Sequence, residues 1–482
     1  GGGGGSSSST VRARWSRALS GGGAPKRPRG TADLLGRDCA DLAWVERQAR
    51  AAAVLHGFDE LRTPIFESTR TFDRTLGEGS DVVRKEMYCL EDRSGNALTL
   101  RPEGTAGAAR AILAQPSAWG GTGGARVFYC GPMFRYERPQ RGRQRQFTQF
   151  GIEHIGPAGP AADVGAIALA RDVLGRVGLL GDTTLLLNTL GDAASRERYA
   201  ALLREHFAGM RESLSPDSQR RLEEGRVLRI LDSKAAADRD AVDSAPDPAQ
   251  AWTPDAAGRF ERVLAGLDAI GIAYRLEPRL VRGLDYYSHT VFEFVAPEPD
   301  GASAGRPTAV LAGGRYDGLA QALGHAAPAP AVGWAAGIER LVLQRERLGL
   351  SGAWAAELPP RVLVAPLLEA AAPEAGANHR IRSHAWALAD RLRAIGIPAQ
   401  LWLPALDAVK PISSPIRKIF REAERSECPV VAVVGADEAR AGEFGANLKH
   451  LQSGRQALCA SSDEIQAFLA QIEHERPAPS VL

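Results

Sequence analysis

Arg135 and Glu137 stand two apart in the run from Arg126 to Glu153 (RVFYCGPMFRYERPQRGRQRQFTQFGIE), and Gln149 and Glu153 stand four apart at its end. In an extended chain residues two or four apart share a face. One such face would offer a cation for a phosphate, carboxylates for amines or amides, and Phe147 as a flat stacking surface. Between them Arg138, Arg141, Arg143 and Arg145 crowd into eight positions. Like charges that dense repel unless an anion is expected. A polar hairpin face is also the ordinary solvated side of a sheet, and composition leaves both readings open.

The elements that must position these groups follow from the pattern. Arg126 to Cys130 reads as a strand, Gly131-Pro132 as a bend, the next residues through Glu137 as a second extended run, and Gln146 to Ile155 as the return strand. Upstream, Leu98 to Leu100 runs through a proline turn into a helix from Ala106 to Ala114. Glu103 and Thr105 thus fall at a strand-to-helix junction, where they could hold a ligand or simply cap the helix. Downstream, Val281-Arg282-Gly283-Leu284-Asp285-Tyr286-Tyr287 forms a turn before the strand Thr290 to Phe294, and by type alone its arginine and tyrosines fit surface and core as well as a site. Gly333 to Gly337 is a small-residue strand leading into a helix from Ile338, which puts Arg340 in a first helical turn, where free N–H groups favour anions.

Phe134-Arg135-Tyr136-Glu137, the basic loop and Phe147 together resemble motif 2 of the class II aminoacyl-tRNA synthetases, and the flanking residues resemble histidyl-tRNA synthetases specifically. Phe58 to Phe66 reads as an extended run whose Pro64 places it at a strand edge, and it is similar to motif 1 of that family. Arg29 to Asp33 is similar to the family's opening, Gly313 to Asp317 to its glycine-rich strand turn, and the Arg340 helix to motif 3. The resemblance implies a reaction in two steps, with ATP and Mg²⁺ activating L-histidine and tRNA(His) receiving it. It implies that Arg135 holds the α-phosphate and, with Glu137, Arg143, Phe147 and Arg340, the ATP. It assigns Glu103, Thr105, Arg135, Gln149, Glu153, Arg282, Tyr286 and Tyr287 to histidine, with Arg135, Arg282 and Arg340 as the catalytic cations. Gln140 and Arg145 would face the tRNA acceptor end, and motif 1 would make a homodimer. His289, where the family signature varies, reads as an incidental side chain.

The implied fold is an α+β catalytic domain on an antiparallel sheet, a helical insertion and a C-terminal α/β anticodon-binding domain. On this reading residues 26–350 are catalytic, with the insertion at about 192–273, and residues 361–475 form the α/β domain. From Arg361 strands and helices do alternate as an open, mainly parallel sheet requires. Lys410-Pro411 to Lys418 departs from the family's lysine-rich pattern, so no single tRNA contact is assigned there.

Bulk properties agree with several modules: 482 residues, 44% apolar, with a formal charge of +2. Nothing approaches a membrane span. The five cysteines are scattered, with no pair spaced as zinc sites require, so no structural metal is expected. Residues 1–25 read as a leader. Glycine- and serine-rich, then basic and free of acids before Asp33, it suits a chloroplast or mitochondrial transit peptide, or a disordered tail on a cytoplasmic protein. A catalytically silent histidine-binding subunit on the same fold is the competing function. It would be expected to lack Arg135, Arg282 and Arg340 and the C-terminal domain. A synthetase for another amino acid would share the general motifs without Arg282 to Tyr287.

Overall fold

The computed structural model of the chain describes residues 26–76, 82–115, 124–281, 286–297, 308–353, 360–368, 376–403, 415–426 and 428–474. Residues 1–25, Arg282 and residues 410–414 lie outside the described residues. The chain divides into two compact units, Gly1–Ser351 and Gly352–Leu482.

In the first unit, helix Gly36–Leu55 precedes the short strands β1 (Asp59–Glu60) and β2 (Phe66–Ser68), then β3 (Tyr88–Glu91) and β4 (Ala97–Leu100). The long hairpin strands β5 (Ala125–Phe134) and β6 (Gln146–Ile155) follow, then β7 (Thr184–Thr189), β8 (Arg275–Leu276), β9 (Ser288–Ala296), β10 (Thr308–Arg315) and β11 (Ala331–Gly337). Eight of these form one sheet in the order β1-β5-β6-β11-β10-β9-β7-β8, and β2-β4-β3 form a small second sheet. The large sheet is antiparallel except at its outermost pairs, β1–β5 and β7–β8.

Two expectations about the strands are corrected. The Gly131-Pro132 bend does not occur, because β5 runs unbroken through both residues. β1 borders β5 only at Val127 and Phe128, so farther along β5 has an open side where proline's missing N–H deprives no partner strand. Arg101 covers this stretch, donating from Nε to the Pro132 carbonyl at 2.9 Å. Phe58 to Phe66 is likewise not one extended run. It breaks into β1 and β2, which belong to different sheets, with Pro64 in the irregular link.

Alternation along β6 sorts its side chains. Phe150 and Ile152 are fully buried, with Phe150 5.5 Å from Phe128 and 5.9 Å from Trp334 between ring centres. Trp334 Nε1 donates to the Ala166 carbonyl of helix Ala161–Arg176 at 2.9 Å, so this face is the one covered by helices. Each such large apolar side chain contributes about 1.5–3 kcal/mol on burial. Phe147, Gln149, Gly151 and Glu153 therefore face the other way. Between β7 and β8 the chain is helical (Ala193–Gly209, Pro216–Glu223, Arg239–Asp243, Pro254–Ala269). This insertion has its own apolar core around Tyr199, Leu203, Phe207, Val227 and Ile230.

In the second unit β12 (Val362–Pro366), β13 (Ala399–Leu401), β14 (Val430–Val434), β15 (Ala446–His450) and β16 (Gln456–Cys459) form a sheet ordered β13-β12-β14-β15-β16. The first three strands are parallel and the last two antiparallel. Helix Ala377–Ala394 covers one face through Ile381, Ala385 and Leu388, and helix Pro415–Arg425 covers the other through Ile419 and Ala423. The antiparallel β15 and β16 and the closing helix Ser462–His474 were not foreseen from the sequence.

Candidate active site

The uncovered face of the large sheet forms a cleft of about 230 Å³. Glu103 and Thr105 line it from the junction between β4 and helix Thr105–Leu113, and Arg135, Glu137, Arg143, Phe147 and Gln149 line it from the β5–β6 hairpin. Tyr286 and Tyr287 enter ahead of β9, and Arg340 enters from the first turn of helix Ile338–Arg347. Two of the three expected catalytic arginines therefore share one hollow; Arg282 lies outside the described residues.

One part of the cleft is basic, with Arg135, Arg143 and Arg340 lining it beside Glu137. Arg135 Nε donates to the Pro102 carbonyl at 2.8 Å, and its guanidinium lies 5.3 Å from the centre of the Phe147 ring. Glu137 sits between two arginines, 3.9 Å from Arg135 and 3.4 Å from Arg143. Arg340 is held by the Ala309 carbonyl at 2.9 Å and the Gly142 carbonyl at 3.3 Å. Backbone acceptors orient these guanidiniums and leave positive charge facing the cleft. Gln140 and Arg145 do not line it. Gln140 pairs with Arg143 through the backbone in the loop tip, while Arg145 stacks on Tyr136 at 3.7 Å and donates to the Glu137 carbonyl.

Another part is acidic and deep. Glu103 accepts from the N–H groups of Thr105 at 2.6 Å and Ala106 at 3.0 Å. It thus caps its helix and lines the cleft at once. Burial raises its pKa, against the bonds it accepts and the nearby Arg135. Glu153 is fully buried beneath the cleft. The Tyr129 hydroxyl donates to its Oε1 at 3.2 Å and the Tyr316 hydroxyl to its Oε2. Burial pushes the Glu153 carboxyl up to about 8, with the Glu103 charge adding to the rise and the hydroxyls of Tyr316, Thr105 and Tyr129 opposing it. Space for it exists only because position 333 is glycine: a Cβ there would lie 1.9 Å from Glu153 Oε2. Gln149 Oε1 is buried and has no hydrogen-bond partner among the described residues, which leaves an acceptor for a bound donor.

Three lining or supporting residues escaped sequence reasoning. Tyr129 shares the Glu153 face of the hairpin, being paired with Gly151, and period-two alternation could have exposed it. Tyr316 lay inside the Gly-Arg-Tyr-Asp run without a role. Glu339 precedes Arg340; its carboxylate accepts from Thr148 N–H at 2.7 and 3.0 Å, tying the helix to the hairpin, and burial raises its pKa.

Comparison with known proteins agrees with this geometry. The family model described as Histidyl-tRNA synthetase matches residues 30–341. The histidine–tRNA ligase of Gluconacetobacter diazotrophicus is 45% identical over 448 residues, covering 92% of this chain and 97% of that protein. That of Rhodospirillum rubrum is 50% identical over 323 residues, 67% of this chain and 76% of the relative. Among solved structures, the apo histidyl-tRNA synthetase of S. aureus superposes with a TM-score of 0.69 at 29% identity, covering 93% of this chain and all of that one. With the family model matching well over half its length and relatives of this identity spanning nearly all of it, the chain belongs to the histidyl-tRNA synthetase family.

Proposed function

We propose that the cleft performs both half-reactions of a histidine–tRNA ligase. A carboxylate oxygen of L-histidine attacks the α-phosphorus of ATP, forming the mixed anhydride as pyrophosphate leaves. A hydroxyl of the 3′-terminal ribose of tRNA(His) then attacks the histidyl carbonyl carbon, and AMP leaves. Both steps depend on holding the reactants and on neutralising oxyanions rather than on a nucleophilic side chain. The observation that carries this reading is one cleft lined by Arg135, Arg143 and Arg340 and also by Glu103, Gln149 and Tyr129, with Glu153 and Tyr316 buried behind Tyr129.

In this assignment Arg135 neutralises the α-phosphate and Arg340 the γ-phosphate. Phe147 stacks on adenine, with Glu137 accepting from the adenine amino group and Arg143 beside it. Glu103, Thr105 and Gln149 accept from the α-ammonium. Glu153 and Tyr287 hold the imidazole, beside Tyr286. A buried pocket built to pair a polar ring rejects an apolar amino acid by a factor on the order of ten thousand. Arg282 bridges the substrate carboxylate and the α-phosphate, and Gln140 and Arg145 on the loop meet the acceptor end. Mg²⁺ arrives with ATP as part of the substrate, held mainly by its phosphates, as is usual for this ion.

ATP–pyrophosphate exchange tests the reading: it should require histidine and Mg²⁺, and Arg282→Ala should abolish it. Exchange supported by another amino acid would overturn the assignment. We also place the protein as a homodimer. The small β2–β4–β3 sheet leaves Phe66 and Leu90 exposed, with Ile65 beside it, and light scattering reads the mass. The basic opening supports a chloroplast or mitochondrial address over a cytoplasmic one, which a fluorescent fusion of residues 1–35 would decide.

A further inference from the structure

The helical insertion meets the sheet at a clasp that binds two helix starts to each other. Asp192 caps helix Ala193–Gly209, accepting from Ser195 N–H at 2.7 Å, and also accepts from the Thr253 hydroxyl at 2.6 Å. Thr253 in turn caps helix Pro254–Ala269 through Ala256 N–H at 3.1 Å, and its own N–H donates to Ser195 Oγ at 2.9 Å. The insertion is thus anchored as one body at its root.

From the first turn above this clasp Arg196 reaches back to the sheet, and its Nη1 donates to the Tyr287 carbonyl at 2.9 Å. Two residues on, His289 N–H donates to the Gly191 carbonyl at 2.9 Å, and Leu190 N–H donates to the His289 carbonyl at 2.8 Å. His289 takes a φ of 49°, a left-handed backbone that a residue with a Cβ keeps only when its surroundings impose it. On its other side the Tyr287 ring is wedged against Gly314, where an added Cβ would come within 2.9 Å of it, and lies 4.7 Å from the Tyr286 ring. Tyr287 therefore has its ring fixed by the sheet and its backbone fixed by the insertion. Arg196 Nε is buried without a hydrogen-bond partner among the described residues. Burying an unpaired donor costs stability, so economy of folding does not account for this arginine.

We propose that Arg196 is a positioning residue for the imidazole pocket: by holding the Tyr287 carbonyl it ties the placement of the helical insertion to the affinity for the amino acid. This rests on the reading of the cleft as a histidine site. Because the coupling runs through a single donor, a lysine that keeps the charge and the donor should replace the arginine, whereas alanine should not.

ATP–pyrophosphate exchange and thermal unfolding of the full chain, for the native protein, Arg196→Ala, Arg196→Lys and Arg198→Ala, test the coupling. Arg198 lies exposed on the same helix. Arg196→Ala should raise the KM for histidine on the order of tenfold, the loss of one charge-assisted hydrogen bond. The KM for ATP and kcat should stay within about twofold, as a loss confined to amino-acid binding requires. Arg196→Lys should recover most of the histidine affinity, and Arg198→Ala should change nothing. An unchanged histidine KM in Arg196→Ala would overturn the proposal, and so would parallel losses in ATP KM, kcat and melting temperature. Should Arg196→Ala fail to fold, Arg196→Met, which keeps a long side chain and removes the donor, takes its place under the same criteria. If exchange by the native protein does not need histidine, the site reading fails first and the inference falls with it.

Discussion

Replacing Glu153 with glutamine should make the protein more stable and less able to select histidine, and both effects follow from one buried carboxyl. Glu153 is fully buried, and its pKa rises from 4.5 to about 8. A carboxyl whose folded pKa lies above its unfolded value keeps its proton longer in the folded state. Its penalty is therefore absent below pH 4.5, grows by about 1.4 kcal/mol per pH unit between there and about pH 8, and is constant above. Near pH 7 that amounts to roughly 3 kcal/mol of stability forgone in the protein without histidine. Glutamine has nearly the same shape, can accept from one of the two tyrosine hydroxyls and donate to the other, and carries no such penalty. Thermal unfolding without ligand at pH 5 and pH 8 should show Glu153→Gln gaining little at the lower pH and most at the higher.

The histidine side of the same change is read by exchange kinetics. A free imidazole titrates near pH 6.5. Between that value and about 8 the pocket and the ligand together carry a single shared proton, whichever partner holds it. Histidine affinity in the native protein should therefore be greatest in that window, falling below it as a proton must leave and above it as one must enter. Glutamine cannot take part in this exchange. The variant should lose about 1.5–3 kcal/mol of binding, a KM increase of roughly ten- to a hundredfold, and should lose the upper limb of the pH profile. Equal destabilisation of Glu153→Gln at pH 5 and pH 8, or a native KM for histidine that does not vary from pH 6 to 9, would refute the reasoning.

Other positions make sharper structural demands. Arg340→Ala should raise the KM for ATP in exchange by tenfold or more while leaving that for histidine nearly unchanged, since it removes a cation at the phosphate end of the cleft alone. Asp163→Ala should cost about 3–5 kcal/mol in denaturant unfolding. It takes the fully buried acidic partner from Arg315, which is itself fully buried and donates to Asp163 at 2.6 Å, and leaves the partly exposed Asp317 at 3.0 Å to balance the charge. Gly333→Ala should cost about 1–3 kcal/mol and raise the histidine KM as well, because its Cβ meets Glu153 Oε2 and, at 2.3 Å, the Ile152 carbonyl. A Gly333→Ala protein with native melting temperature and native histidine KM would show that Glu153 can move aside freely.

What could be read from the sequence was whatever is encoded by local period or by a short run of special residue types. The return strand Gln146 to Ile155, the strand from Gly333 to Gly337 with its following helix, and the parallel strands from Val362 to Val434 all announce themselves by alternation, small residues or apolar runs. The Gly131-Pro132 bend was misread because a proline's cost in a strand depends on whether a neighbour needs its N–H, and that is decided by where β1 ends. Tyr129 and Tyr316 were missed for a related reason. Nothing local distinguishes a tyrosine that packs from one that holds a carboxylate; the distinction comes from Glu153, 24 residues from one and 163 from the other. The same holds for Arg196, which lies in an ordinary helical first turn and gains its meaning from a carbonyl 91 residues away. Short-range pattern thus locates the charged ends of the cleft, whereas the groups that tune those charges come from strands that meet only in the folded sheet. Substitutions at these tuning positions should therefore change the histidine KM and its pH dependence, whereas Arg282→Ala in a legible motif should abolish exchange.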